Sequence, residues 1–225
     1  MHEKGSPKTY ALDIETVSQG LRANEYTDKK SYKLGNVKDE EKVAKALKKK
    51  QEEARGKHGL HWTTGKVCSV ALVSICGEDS IVISGYDEKT ILEELAPYLD
   101  GDTIIGKSSE GFDAPFLIGR YMDNRIKVPR SLKPSARLAY DVDKFFGFSA
   151  SSGQRGSLDA YAHGLGLESK TMHGSMVQGV YDTAVNAKME MDTVTEDAAW
   201  QQIRDYNLGD SIIVKEMVLL FGGVN

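Results

Sequence analysis

The run Lys66-Val-Cys-Ser-Val-Ala-Leu-Val-Ser-Ile-Cys76, followed after Gly77-Glu-Asp79 by Ser80-Ile-Val-Ile-Ser84, does most to narrow the possible fold. β-Branched residues recur in both segments, and the glycine-containing break has the length of a hairpin loop, so two paired antiparallel strands are expected. Upstream, Thr9-Tyr-Ala-Leu-Asp-Ile-Glu-Thr16 reads as a short strand, with Leu12 and Ile14 on one side and Asp13 and Glu15 on the other. Downstream the signals alternate. They predict an amphipathic helix at 88–99, a buried strand at 102–106, a helix at 115–124, a strand at 138–142 and helices at 157–165, 175–187 and 196–220. A strand pair followed by alternating strand and helix implies an α/β protein, a mixed central sheet with helices on both faces.

At 225 residues the chain can bury a sizeable core, and one domain is the default expectation. The first residues, Met1-His-Glu-Lys-Gly-Ser-Pro-Lys8, contain no apolar core of a signal peptide, and no segment approaches the roughly 20 apolar residues of a membrane span. A cytoplasmic protein with no membrane contact is therefore expected. The two cysteines, Cys68 and Cys76, are evenly spaced along one apolar run. They would share a strand face without facing each other, which predicts buried free thiols and no disulfide.

Charge is unevenly spread. The net charge is -4 overall, but between Asp28 and Lys57 there are 11 Lys/Arg and 6 Asp/Glu, a balance of +5, which leaves -9 for the remainder. Residues 36–57 predict a helix with acids early and lysines later, stopped by Gly56 and Gly59, whose apolar face is little more than Val43 and Leu47. This reads as a basic, helical insertion at about 28–58 on an acidic body. Lys45, Lys48, Lys49 and Lys50 are its candidate phosphate contacts; a solvated helix would carry the same pattern.

Three acidic sites stand out, each with an ordinary explanation. Asp13 and Glu15 are two positions apart on a strand, where partly desolvated carboxylates repel unless protonated or bridged by a hard cation; two solvated acids on an edge strand would look alike. Asp113, in Gly111-Phe-Asp-Ala-Pro-Phe-Leu117, follows a strand and opens a helix. An N-cap explains it, yet the carboxyl end of a strand is also where α/β folds bind ligands. In Asp205-Tyr-Asn-Leu-Gly-Asp210, Tyr206 and Asp210 lie one helical turn apart and project from one face.

In order and spacing, Leu12-Asp-Ile-Glu-Thr16, the Asp113 segment, Gly156-Ser-Leu-Asp-Ala-Tyr-Ala162 with Leu165-Gly-Leu167, and Tyr206-x-x-x-Asp210 resemble one family. It is the DEDDy branch of the 3′→5′ exonucleases with the ribonuclease H-like fold, similar to the proofreading exonuclease domain of family-B DNA polymerases and its stand-alone relatives. The resemblance spans nearly the whole chain apart from the insertion. It implies that Asp13, Glu15, Asp113 and Asp210 hold two divalent cations, Mg²⁺ or Mn²⁺, with Asp113 acting through water. It also implies that Tyr206 orients the attacking water; the branch using histidine would carry it at position 205, which is Asp205. The family's second motif has an asparagine five residues before its aspartate, where this chain has Ser108. Thr16, Ser108 and Phe112 become candidate contacts to the terminal nucleotide, by hydrogen bonding and stacking, while Phe116 is expected in the core.

The expectation is a stand-alone trimming or repair nuclease acting on DNA 3′ ends, single strands preferred, with no obligate protein partner. An exoribonuclease with the same chemistry, and a non-catalytic nucleic-acid-binding module of the same fold, are the alternatives. His58 and His61 with Cys68 match no closed zinc pattern, and His163 and His173 are read as structural or surface residues.

Overall fold

The computed structural model describes residues 7–33, 40–149, 151, 153–167 and 172–222. In chain order its elements are β1 (Thr9–Ser18), α1 (Leu21–Lys29), α2 (Glu40–Arg55), β2 (Gly65–Ser74), β3 (Ser80–Ser84), α3 (Glu88–Leu95), β4 (Thr103–Gly106) and α4 (Asp113–Asp123). β5 (Ala139–Asp141), α5 (Val142–Phe145), α6 (Leu158–Gly164), α7 (Val177–Met189) and α8 (Thr193–Leu220) complete the chain.

The five strands form one sheet in the order β3-β2-β1-β4-β5. β2 runs antiparallel to β1 and β3, while β4 and β5 run parallel to β1 and to each other. β1 is thus central, and alternation along it feeds two separate cores. Tyr10, Leu12 and Ile14 pack against α3 and α4 through Ile91, Leu92, Leu95, Phe116, Leu117 and Tyr121. Ala11 and Val17 face the opposite way, toward α6, α7 and α8. Each fully buried leucine or isoleucine contributes about 1.5–3 kcal/mol, enough to fix the register of β1. The result is an α/β ribonuclease H-like fold, a mixed sheet with helices on both faces.

Polar groups tie the α3–α4 layer to the sheet. Arg120 grips Glu88 through two bonds, 2.8 and 2.6 Å long, and Glu88 also accepts from the Val67 amide. Gly106, at the end of β4, leaves no room for a side chain: a Cβ there would lie 2.5 Å from the Leu12 carbonyl and 2.0 Å from Ser109 Oγ. This close approach lets the loop that leads to Asp113 turn back over β1.

Several expectations shift. Residues 21–29, for which the sequence predicted no helix of their own, form α1; among its described side chains only Ala23 and Thr27 are buried, so no apolar stripe announces the helix. Of the helix expected at 36–57, residues 36–39 lie outside the described residues, and α2 covers the rest to Arg55. Cys68 is buried, but Cys76 is exposed, because β2 ends at Ser74 and strand alternation no longer governs the residues beyond. Asp113 is the first residue of α4; the N-cap position belongs to Phe112. No described helix is long and apolar enough to cross a membrane.

Candidate active site

Asp13 and Glu15 leave β1 on the side covered by α8, and Asp210 descends from α8 to meet them. One carboxylate oxygen from each lies within 4.8 Å of the others. Glu15 and Asp210 are buried, and Asp13 keeps part of its surface open. Such a group of hard oxygen donors could hold a metal ion.

The electrostatics fit that use. Burial, followed by the charges of Glu15, Asp210 and Asp113, raises the Asp13 carboxyl well above the usual carboxylate range, against a lowering hydrogen bond from Asn207. Three carboxylates in a space this small cannot all remain ionised without positive charge, and a divalent cation supplies it without needing its own side chain. The donor set is all oxygen, the chemistry of Mg²⁺, Mn²⁺ or Ca²⁺ and not of a thiolate or imidazole site.

Asp113 stands beside this group and outside it. It is buried, accepts from Ser109 Oγ at 3.1 Å, and carries a carboxyl that burial pushes up to about 7. Its charge acts on Asp13. Tyr206 lies on the same face of α8 as Asp210, buried, with its hydroxyl hydrogen-bonded to Asp210. Burial and then the charges of Asp210, Glu15 and Asp13 raise its pKa, so the phenol keeps its proton. Gly174 faces this hydroxyl: a Cβ at Gly174 would lie 3.3 Å from it.

The other sequence candidates lie around this centre or away from it. Thr16 donates its hydroxyl to the Gly59 carbonyl at 2.6 Å. Ser108 has left-handed backbone (φ 60), and its hydroxyl accepts from Arg155 at 3.3 Å. That backbone conformation favours glycine and asparagine. Phe112 is half-buried with its ring against Phe116, 5.5 Å between centroids, and Phe116 is in the core. Lys45, Lys48, Lys49 and Lys50 are all exposed on α2, where Lys49 and Lys50 both reach Glu53, at 4.0 and 3.6 Å. The α1–α2 pair is rooted close to the site. His58 bridges Ser18 Oγ and Thr27 Oγ1, linking the end of β1 to α1, and Arg55 of α2 pairs with Asp28 of α1 at 2.6 Å.

Two features were not singled out from sequence. Asn207 is fully buried; it donates to Asp13 at 2.7 Å and accepts from Ser69 Oγ at 2.8 Å. Asp143, just beyond β5, gathers Lys107, Arg155 and Tyr161 next to Ser108. The signal for Asn207 was its place three residues before Asp210 on one helix face; nothing in sequence pairs it with Ser69 or Asp13.

No protein-family model matches the chain, and no curated protein matches it by sequence. Among solved structures, the family B DNA polymerase from the hyperthermophilic archaeon Pyrobaculum calidifontis is similar in fold. The TM-score is 0.55 at 14% identity, and the match covers 97% of this chain and 26% of the polymerase. The chain therefore spans about a quarter of that protein's length.

Proposed function

We propose that the chain is a metal-dependent 3′→5′ exonuclease of the DEDDy type that releases nucleotides from DNA 3′ ends, single strands preferred. The observation that carries this reading is the convergence of Asp13, Glu15 and Asp210 within 4.8 Å, with Tyr206 on the same helix face as Asp210. The motif resemblance pointed to the proofreading domain of family-B polymerases, and the fold likeness to a family B polymerase supports the same reading. The whole chain is read as one exonuclease domain, with the α1–α2 pair inserted between β1 and β2.

Asp13, Glu15 and Asp210 would hold two divalent ions, Mg²⁺ or Mn²⁺, with Asp113 contributing through water. When bound, such ions compensate the phosphodiester charge, acidify water and stabilise the departing 3′ oxygen. The chain's own groups do the positioning. Tyr206 stays protonated among the carboxylates and donates a hydrogen bond to Asp210. Its phenol oxygen is then an acceptor for one O–H of the attacking water, which turns a water lone pair toward phosphorus. Phe112 offers a ring for stacking, and Ser108 and Thr16 offer polar contacts to the last nucleotide. The exposed lysines of α2, on an insertion rooted at the end of β1, would track the phosphate backbone.

Digestion of matched 5′-labelled DNA and RNA oligonucleotides by the purified protein, with Mg²⁺, with Mn²⁺ and with chelator, tests this. A ladder of progressively shorter DNA with either ion, and none with chelator, is expected. Preferential shortening of RNA would move the substrate to RNA. Binding without cleavage under any ion would leave a nucleic-acid-binding module in place of an enzyme.

A further inference from the structure

Asn207 is a costly residue where it stands. It lies inside α8 with no exposed surface, and asparagine is a poor helix former whose amide must find partners once buried. The buried side of the helix around it mixes Ile203, Ile213 and Val214 with the buried polar residues Asp210 and Ser211, so packing alone does not require an amide at this position. Both ends of the amide are instead committed to two different strands. Nδ2 donates to Asp13 Oδ2 on β1 at 2.7 Å, and Oδ1 accepts from the buried Ser69 Oγ on β2 at 2.8 Å.

We infer that Asn207, held by Ser69, is the positioning residue that fixes the Asp13 carboxylate for ion binding, an inference that rests on reading the cluster as a cation site. One amide N–H engages one oxygen of Asp13, which stops rotation of the carboxylate and leaves its other oxygen to the shared centre. Neutrality matters as much as reach. A lysine or arginine here would bring a competing cation against Asp13, and a serine would be too short to span from α8 to β1. Because Asn207 and Asp210 sit on the same helix face, the relay from Ser69 through Asn207 to Asp13 also sets α8, and with it Asp210, at a fixed distance from β1.

The test is Mn²⁺ titration by calorimetry, with metal-free thermal unfolding measured alongside, for the wild type and for Asn207→Ala, Asn207→Ser, Ser69→Ala, Asp13→Ala and the Asp13→Ala/Asn207→Ala pair. Groups that orient a metal ligand are commonly worth about 10–100-fold in affinity. Asn207→Ala should lose that much at temperatures well below its own melting point, and Ser69→Ala should lose less in the same direction. Asn207→Ser, which keeps a small polar group without the reach, should behave like Asn207→Ala and serves in its place if the alanine variant does not fold. With Asp13 already removed, Asn207→Ala should have no further effect on residual Mn²⁺ binding. Lower melting temperatures with wild-type affinity in both Asn207 variants would make Asn207 a packing residue and overturn the inference. A wild type that takes up no Mn²⁺ would instead overturn the cation-site reading beneath it, so the two failures are told apart.

Discussion

The acidic cluster and the α1–α2 pair concentrate charge of opposite sign under opposite conditions. At the cluster, Glu15 and Asp210 are buried beside Asp13, and their charges add to burial in raising the proton affinity of the Asp13 carboxyl. On α2, no described side chain is buried, and the lysines stand in water. Buried like charges oppose folding and call for a reason beyond packing. Solvated charges oppose nothing, so their positions alone do not separate a substrate arm from an ordinary helix surface. Structure therefore argues for function strongly at the first region and weakly at the second, and experiments should treat the two differently.

The largest expected effect lies at the cluster. Asp13→Ala and Asp210→Ala should each abolish divalent-dependent release of mononucleotides, a loss beyond the ~10–100-fold typical of residues that only orient a ligand. Full activity in either variant would remove the distinction between the two regions.

Stability against pH sharpens the comparison next. Folding raises the Asp113 carboxyl from 3.8 to about 7, and Asp13 moves the same way. The folded state therefore holds these protons more tightly than the unfolded state, and the contribution of these two groups to metal-free stability should be greatest below pH ~4. For Asp113 it should fall as the pH rises toward about 7, at roughly 1.4 kcal/mol per unit, and the Asp13 contribution falls in the same direction. Mn²⁺ or Mg²⁺ should reverse the loss near neutral pH. Melting curves across that range, with and without the ion, check it; a flat metal-free profile would mean that the carboxylates are not in conflict.

Tyr206→Phe keeps the ring and removes the hydroxyl. Turnover should fall about 10²-fold while Mn²⁺ affinity holds, as single-turnover rates and titration would show. Wild-type turnover would make Tyr206 a packed helix residue.

The smallest expected effect is at the insertion. Converting Lys45, Lys48, Lys49 and Lys50 to glutamine should weaken oligonucleotide binding and flatten its salt dependence by up to about 0.7 log units of slope per lost contact on single strands. The rate at saturating substrate should barely change, since these contacts bind ground and transition state alike. An unchanged salt slope would make α2 a solvated surface helix.

The same contrast governs what the sequence disclosed. The alternation of Leu12 and Ile14 with Asp13 and Glu15 placed β1 in the sheet and put its acids on one side, and one-turn spacing put Tyr206 and Asp210 together. These are local periodicities, and the fold preserves them. Asn207 was not assigned because its meaning depends on Asp13 and Ser69, 194 and 138 residues away in sequence, where no local pattern reaches. Helix α1 was missed for a different reason: with Leu21 83% exposed and little of the helix buried, it has no apolar stripe to read. Even spacing misplaced Cys76 because a period of two holds only while the strand lasts, and β2 ends at Ser74.

The most direct measurement is anomalous diffraction from crystals of the protein soaked in Mn²⁺. Two peaks at coordination distance from Asp13, Glu15 and Asp210, lost in crystals of Asp210→Ala, are the predicted result; no peak among these carboxylates at saturating Mn²⁺ would contradict the account.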